Sequence, residues 1–281
     1  MKNIDRATVV DFGRDWESYD QSPIPRSELH AQFRHYFEVF PWDAVTNRSV
    51  GFDVGCGSGR WAQFMAPEVG HLHCVDASET ALRVARQNLK DQRNVSFHNA
   101  SAGDLPFETG SMDFGFSLGV LHHVPDTLGA IKECARVLKE GAPFQLYLYY
   151  RFDNKPGWYA ALWALSDQFR KVISGRPFWL KHAISYLIAL LIYWPLSRLA
   201  RVMEKTGVDV SNFPLSAYRN QRLYSLKTDA LDRFGTRLEQ RFTRDEIRAM
   251  LTEAGFLDIR FGESGPPYWC VNARRGNARS H

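Results

Sequence analysis

The sequence predicts an α/β protein built on a doubly wound, mostly parallel sheet of seven strands. Between Thr46 and Tyr150, short apolar segments alternate with amphipathic ones, and strands that alternate with helices form parallel βαβ units. Near the C-terminus, two closely spaced apolar segments predict an antiparallel hairpin at the sheet edge. Residues 151–241 break the alternation and predict a helical insertion after the fifth strand.

Seven strands are predicted from apolar segments that end at turn residues. The five parallel strands lie in SVGFDV, HLHCVDAS, NVSFHNAS, MDFGFSLGV and PFQLYLYY. The terminal hairpin pairs FLDIRF with YWCVNAR through the turn-rich GESGPP. Within that connection, GPPYW (residues 265–269) is interpreted as a rigid hairpin turn.

The predicted helices of this α/β part have recognisable starts and stops. Ser78 and Thr243 predict the N-caps of SETALRVARQNLKD and TRDEIRAMLTEAG. Gly141 ends LGAIKECARVLKEG, Gly255 ends the Thr243 helix, and RWAQFMAPEV gives a further helix. The helix after Ser78 places three apolar residues on one face, Leu82, Ala85 and Leu89.

The insertion differs from the rest of the chain in composition. It contains two long predicted helices, of which the second starts at Pro177 and is kinked or broken at Pro195. Between Lys155 and Thr206 there are eight basic and two acidic residues. The uncharged run from His182 to Ser197 is shorter than the roughly 20 apolar residues of a bilayer span. We expect the insertion to form a lid over the substrate site. Its apolar helix is then either a buried roof or an interfacial helix at an anionic membrane.

Several classes of protein are disfavoured by the composition. No basic region followed by an apolar one opens the sequence, so no secretory signal is expected. The basic residues of the insertion interleave with leucine and tryptophan, so no nucleic-acid partner is expected. The cysteines form no C-x-x-C pair and predict buried, reduced thiols and no structural zinc. They are Cys56, Cys74, Cys134 and Cys270.

The first strand ends in a glycine turn, DVGCGSGR, that points to ligand binding. Glycines let the backbone turn sharply and approach a ligand closely. They are Gly55, Gly57 and Gly59. Asp53 precedes this turn, and Asp76 closes the second strand, where a carboxylate can take both hydroxyls of a ribose. Because Arg60 occupies the last position of a G-x-G-x-x-G fingerprint, a dehydrogenase is disfavoured.

These motifs resemble those of class I S-adenosylmethionine-dependent methyltransferases, in the branch of the ubiquinone and menaquinone enzymes. The resemblance rests on DVGCGSG, CVDAS, AGDLPFETGSMDFGFSLGVLHHVPD and RVLKEGAPFQLYLY. It implies a Rossmann-like fold and S-adenosylmethionine as cofactor, with the three glycines at the methionine portion, Asp76 at the ribose and Asp53 among the cofactor-binding residues. Ser101 stands where the family commonly has an adenine-binding aspartate, Ala102 follows it, and Leu118 lies near the sulfonium.

Two adjacent histidines follow the fourth strand and are candidates for a general base. His122 and His123 lie at the ligand end of the sheet, and His123 is preferred because its family position borders the pocket. Since adjacent residues tend to point apart, at most one of the two is expected to face the substrate. The alternatives are a structural role for both, or a base from the N-terminal helix. Those further candidates are His30 and His35. A metal site is not expected.

Taken together, the sequence predicts methyl transfer to a small or lipid-linked acceptor, with oxygen as the favoured acceptor atom. The alternative is a binding or scaffold protein that keeps the fold without turnover. We expect a cytoplasmic protein, with peripheral contact at the inner membrane face through the insertion. Residues near the end of the insertion, Tyr224 to Arg241, are expected close to the substrate. The predicted parts are a helical cap (1–46), a cofactor-binding core (47–150), the insertion or lid (151–241) and a terminal helix with hairpin (242–281).

Overall fold

A computed structural model describes residues 2–19, 23–263 and 268–277. These residues divide into two compact units. The core unit comprises the described residues within Met1–Gln21, Pro25–Tyr150 and Leu238–His281. The helical unit comprises those within Ser22–Ile24 and Arg151–Arg237.

The core unit contains a seven-stranded mixed sheet, which confirms the predicted fold class. Its strands are β1 (Val50–Val54), β2 (His71–Asp76), β3 (Val95–Asn99), β4 (Phe114–Leu118), β5 (Pro143–Tyr147), β6 (Phe256–Phe261) and β7 (Cys270–Arg275). They are arranged in the order β3-β2-β1-β4-β5-β7-β6. The first five strands pair in parallel and β7 pairs antiparallel with both β5 and β6. The carboxyl ends of the five parallel strands therefore meet at one edge, where ligands of such sheets bind.

Helices flank this sheet, and their caps match the sequence signals. The helices of the core unit are α1 (Arg6–Ser18), α2 (Arg26–Tyr36), α3 (Ala62–Met65), α4 (Glu79–Asn88), α5 (Thr127–Val137) and, later in the chain, α10 (Arg244–Glu253). Ser78 caps α4 by accepting from the amide of Ala81, and Thr243 forms a capping box with Glu246. Gly255 ends α10 with a φ of 82°. The predicted apolar face of α4 is buried.

Two predicted helices are shorter than expected. The helix expected over RWAQFMAPEV is α3 followed by a 3₁₀ turn, Ala66–Glu68, because Pro67 has no N–H for an α-helical hydrogen bond. The helix expected to reach Gly141 ends at Val137. Leu138 is already extended and bridges to Met112, while Gly141 takes a φ of 77° in the turn that follows.

The helical unit contains α6 (Gly157–Ser174), α7 (Phe178–Ile188), α8 (Trp194–Lys205) and α9 (Leu223–Gly235). A π-helical turn, Ala189–Tyr193, joins α7 to α8. Pro195 does not break the helix, because the wider turn before it accommodates a residue that lacks an N–H. The expectation of a run too short to span is wrong: Phe178–Lys205 is one continuous helix, long and apolar enough to cross a membrane by length and composition alone.

Other expectations concern cysteines, metals and the hairpin turn. All four cysteines are buried free thiols, as predicted. Among the described residues, no group of three or more His, Cys, Asp or Glu side chains is placed to hold a metal ion. The first residues of the GPPYW stretch, 265–267, lie outside the described residues, so the rigid turn stays a prediction.

Candidate cofactor and acceptor site

The glycine turn after β1 adopts a conformation that other residues rarely take. Gly55, Gly57 and Gly59 have φ values of 76°, 52° and 76°. A Cβ atom on Gly57 would lie 2.8 Å from the indole ring of Trp16 in α1. The backbone is therefore bare where a ligand approaches it, and no side chain fits between the turn and α1.

Asp76 is held at the end of β2 by backbone amides. Its Oδ2 accepts a hydrogen bond from the amide of Gly57 at 3.0 Å, and its Oδ1 accepts one from the amide of Ser78 at 2.8 Å. Each carboxylate oxygen has a further lone pair, so both can still accept hydrogen bonds from a diol. Burial raises the pKa of Asp76, while the two backbone hydrogen bonds lower it. The geometry fits the predicted ribose role.

Three buried polar atoms around the glycine turn have no hydrogen-bond partner among the described residues. They are Asp53 Oδ2, Ser58 Oγ and Ser101 Oγ. Burial, and then the nearby Asp76 carboxylate, raises the pKa of Asp53 well above its ordinary value. A buried polar group without a partner costs about 1–3 kcal/mol, which a polar ligand can offset. These atoms therefore indicate a polar ligand at this edge of the sheet.

Ser101, Ala102 and Leu118 lie at the same edge. Ser101 and Ala102 are buried just after β3, and Leu118 is the buried last residue of β4. The strand order places β1 and β2 between them. The predicted adenine and sulfonium positions thus flank the glycine turn and Asp76.

Helix α1 packs over the start of α4 and over the glycine turn, which the sequence did not indicate. A Cβ atom on Gly13 would lie 3.2 Å from Thr80 Cβ, and one turn later Trp16 covers Gly57. The guanidinium of Arg60 lies 4.2 Å from the ring of Trp61 and 5.9 Å from that of Trp16. Gly13, a small residue on the face of α1 that contacts α4, was the one signal of this packing in the sequence.

The two histidines lie side by side, so the expectation that they point apart is wrong. Both belong to a 3₁₀ turn, Leu121–His123, and their ring centroids are 4.1 Å apart. His122 is fully buried and stacks on Tyr149 with centroids 3.7 Å apart. Burial first, then His123 and Arg241, lowers the pKa of His122 well below its ordinary value. His122 is therefore neutral near pH 7 and a weak base.

His123 is better suited than His122 to accept a proton. Its Nδ1 lies 2.7 Å from the carbonyl oxygen of Leu238. Because a carbonyl oxygen only accepts, this nitrogen carries the proton, and Nε2 is the basic atom of the neutral ring. The alternative histidines, His30 and His35, lie on the exposed face of α2, where the ring of His30 contacts Phe64.

A row of aromatic rings follows the carboxyl ends of β4 and β5. Its ring centroids are separated by 4.8, 5.3, 5.9 and 3.7 Å in succession along the row. The rings belong, in order, to Trp61, Tyr36, Tyr147, Tyr149 and His122. The sequence did not indicate the tyrosines, because they come from α2 and from the segment around β5.

Arg241 completes this part of the site. Its guanidinium lies 5.1 Å from the ring of Tyr149, and its Nε donates to Glu239 at 2.8 Å. Of the residues from Tyr224 to Arg241 that were expected near the substrate, Arg241 belongs to the core unit, whereas Tyr224 and Arg233 belong to the helical unit. Arg233 there lies 3.6 Å from Asp167.

Comparison with known proteins shows which family the strands around this site resemble. A methyltransferase-domain family model matches residues 52–145. The demethylmenaquinone methyltransferase of Listeria welshimeri is 33% identical over 150 residues, which are 50% of this chain and 61% of that protein. The ubiquinone biosynthesis O-methyltransferase of Thiobacillus denitrificans is 32% identical over 154 residues, 50% of this chain and 62% of that protein.

Residues 52–145 form a methyltransferase domain. The fold agrees: a Bacillus halodurans protein assigned as a methyltransferase superposes with a TM-score of 0.51 at 15% identity, covering 82% of this chain and 70% of that one. The chain spans about three fifths of the length of the curated relatives it matches, 61% and 62%.

S-adenosylmethionine is the cofactor of this methyltransferase domain, and the residues present fit it. The glycine turn is predicted to meet its methionine portion, and Asp53 carries a carboxylate oxygen suited to the ammonium group. Asp76 suits the ribose hydroxyls and Ser101 the adenine amino group. These assignments of single residues remain predictions.

Proposed function

We propose that the protein transfers a methyl group from S-adenosylmethionine to the hydroxyl oxygen of a small aromatic acceptor of the quinol class. The observation that carries this proposal is the aromatic row from Trp61 to His122, in which the half-buried rings of Tyr36 and Tyr149 can stack against a flat acceptor. The two relatives, a demethylmenaquinone methyltransferase and a ubiquinone biosynthesis O-methyltransferase, favour the same class of acceptor.

The two histidines after β4 have different roles in the proposed reaction. When bound, the cofactor supplies a methyl group on a sulfonium, which is a good leaving group. His123 accepts the hydroxyl proton of the acceptor at Nε2, while its Nδ1–H stays on the carbonyl of Leu238. His122 remains neutral and supports the ring of Tyr149 by stacking. Alignment of acceptor and donor supplies the rest of the rate acceleration.

The acceptor's lipid attachment and the place of action belong to the same proposal. A quinol with an isoprenoid-like tail resides in a membrane, so we propose that the protein acts at the cytoplasmic face of the inner membrane. The exposed apolar side chains of the helical unit support contact with lipid. The lid role of the insertion, and the four-part division of the chain, stay predictions from the sequence.

Replacement of His123 by asparagine tests the proposed base. With a water-soluble short-chain quinol as acceptor, His123→Asn should lower kcat by about 10²–10⁴-fold. Calorimetry should show unchanged affinity for S-adenosylmethionine, because the histidine lies outside the glycine turn. His35→Asn, on the exposed face of α2, serves as the matched control and should retain turnover.

Three outcomes would contradict the proposal. A loss of less than tenfold in His123→Asn would remove proton transfer from the mechanism. If the wild-type protein binds the cofactor but transfers no labelled methyl group to quinols or to a bacterial lipid extract, the chain is a binding protein without turnover. A product methylated at carbon would contradict the choice of oxygen.

A further inference from the structure

Helix α6 carries a continuous apolar stripe on its exposed face. Its five members recur at intervals of four and three residues, which places them on one side of a helix. They are 46–60% exposed: Trp158, Leu162, Leu165, Phe169 and Val172. A soluble amphipathic helix buries such a stripe, so this one is inverted.

The opposite face of α6 is buried and carries polar side chains beside the apolar Ile173. Asp167 and Arg170 are buried there and form an ion pair at 2.6 Å. Arg170 also donates to the carbonyl oxygens of Thr236 and Arg237 at 2.9 and 3.0 Å. These carbonyls follow the C-terminus of α9, so a buried cation satisfies the end of that helix. The polar face of α6 is thus the packed face.

The long helix formed by α7, the π turn and α8 likewise buries polar side chains, beside the apolar Ala189 and Tyr193, and exposes large apolar ones. Lys181 is almost fully buried and donates to the carbonyl oxygen of Gly235 at 3.1 Å. Ser185 and Ser197 are buried on the same helix. Its exposed side chains are mostly large and apolar, from Trp179 at 70% and Leu191 at 67% exposure to Tyr186, Leu187, Leu190, Ile192, Leu199 and Val202.

The inversion concentrates exposed apolar side chains on three helices. Of seventeen exposed large apolar residues among those described, thirteen belong to α6, α7, the π turn or α8. We call these thirteen the docking surface. Monomeric soluble proteins seldom leave contiguous apolar surface of this kind in water, and such surface marks contact with a partner or a membrane.

The charges around the docking surface favour a lipid occupant. The exposed charged residues from Gly157 to Lys205 are basic with one exception, Glu204, which pairs with Arg219 at 2.8 Å. The exposed basic residues are Lys171, Arg176, Arg201 and Lys205. An anionic leaflet attracts such a border, and exposed tryptophans suit the headgroup level. Two copies of this chain meeting through the docking surface would instead bring like charges together.

We infer that the docking surface lies in the plane of an anionic bilayer, with α6, α7 and α8 embedded on their apolar faces and the basic residues at the headgroups. The arrangement is interfacial because the polar faces of these helices are occupied by the buried contacts of Arg170 and Lys181 inside the helical unit. Docking itself is independent of the chemistry; its use, access to a membrane-resident quinol, rests on the proposed function.

Vesicle cosedimentation with paired variants tests this inference. Leu165→Asp combined with Phe169→Asp should weaken binding to vesicles of phosphatidylcholine and phosphatidylglycerol by at least tenfold. The matched control is Leu257→Asp on β6 of the core unit, a leucine of similar exposure at 52%. That control should bind as the wild-type protein does.

The charge contribution is separable from the apolar one. Arg201→Gln and Lys205→Gln should each reduce binding to the anionic vesicles roughly fivefold at low salt, and should leave binding to pure phosphatidylcholine unchanged. Both side chains are exposed, so circular dichroism and cofactor affinity should match those of the wild-type protein.

Three results would overturn the inference. One is vesicle binding by the Leu165/Phe169 variant that equals that of the control. Another is resistance to alkaline carbonate extraction, which would show a spanning helix Phe178–Lys205. The third is a lipid-independent dimer that the Leu165/Phe169 variant abolishes, which would make a second copy the occupant. Turnover of a soluble quinol is a separate readout, so failure of docking and failure of the proposed function are distinguishable.

Discussion

The core unit and the helical unit place their polar side chains in opposite ways. In α4 of the core unit, Leu82 and Ala85 face inward while Glu79 and Arg86 pair at the surface. In α6 of the helical unit, the ion-paired residues are inside and the leucines outside. An apolar stripe at helical spacing therefore identifies a face that avoids water, but the contacts of the opposite face decide whether protein or lipid covers it.

Buried polar groups also differ between the two units. In the core unit, Asp53 and Ser101 have buried oxygens without a hydrogen-bond partner among the described residues, and these lie at the ligand edge of the sheet. In the helical unit, Arg170 and Lys181 are buried but satisfied by carbonyl oxygens near the end of α9. The hydroxyls of Ser185 and Ser225 in the helical unit are also buried without a partner among the described residues, so it is the position of Asp53 and Ser101 at the carboxyl ends of the strands that points to a ligand.

Gly57→Val should have the largest effect, and it should be confined to the core unit. The added side chain would collide with Trp16, at a backbone φ of 52° that valine strains to adopt, and would distort the turn predicted to meet the methionine portion. Calorimetry should show no measurable binding of S-adenosylmethionine. Vesicle binding should persist, since the docking surface lies in the helical unit. Cofactor affinity within threefold of wild type would contradict the site.

Asp167→Ala should have the next largest effect, on the helical unit. The substitution leaves Arg170 buried without its carboxylate, and breaking a buried ion pair costs roughly 3–5 kcal/mol. Urea denaturation followed by circular dichroism measures the loss. Glu204→Ala removes an exposed ion pair with Arg219 and should change stability little. Equal effects of the two substitutions would show that the buried pair does not hold the unit together.

Asp76→Ala should weaken cofactor binding by about 1.5–3 kcal/mol, the range for hydrogen bonds to a charged group. The carboxylate is positioned by the amides of Gly57 and Ser78, so its removal also loosens the turn. Asp76→Asn keeps these two contacts in part and should lie between alanine and wild type. A folded alanine variant with unchanged affinity in calorimetry would remove Asp76 from the ribose.

The smallest expected effect is a loss of stability in mild acid that originates in the core unit. Burial, and then His71 and His98, lowers the pKa of His73 to about 4. The unfolded chain titrates near the ordinary value of about 6.5 and binds more protons between these limits. Stability should therefore fall as the pH drops from about 6.5 to 4. Burial likewise lowers the pKa of His98, and of His122 more strongly.

His73→Gln should flatten this pH dependence in thermal unfolding measured at pH 7 and pH 5. The helical unit contains a single histidine, His182, and His182→Gln is the matched control that should leave the slope unchanged. An unaltered slope in His73→Gln, or a slope that flattens only in His182→Gln, would place the titrating groups elsewhere.

The sequence was most informative where a local rule has one structural solution. Short apolar segments that end at turn residues predicted the strands, Ser78 and Thr243 predicted their helix caps, and the glycines after β1 predicted the turn. Local rules failed where distant contacts decide. Leu138 is extended rather than helical because it forms a β-bridge with Met112. His122 lies beside His123, and its ring stacks on Tyr149, which follows β5.

The sequence could not predict the inversion of the helical unit either, because it also depends on contacts between distant residues. An apolar stripe on α6 reads the same whether it is buried or exposed. The polar face of α6 is buried because Arg170 donates hydrogen bonds to the carbonyl oxygens of Thr236 and Arg237, more than sixty positions away in the sequence. Lys181 likewise finds Gly235. Such partners are visible only once α9 is folded against α6 and α7.

The most direct test of this division between the two units is to compare methyl transfer to a quinol in solution with methyl transfer to a quinol in a membrane. The Leu165→Asp/Phe169→Asp variant is assayed on a short-chain quinol in solution and on a long-chain quinol embedded in anionic vesicles. The account predicts wild-type kcat/KM on the soluble acceptor and at least a tenfold loss on the embedded one. Equal activity on both acceptors, or an equal loss on both, would contradict it.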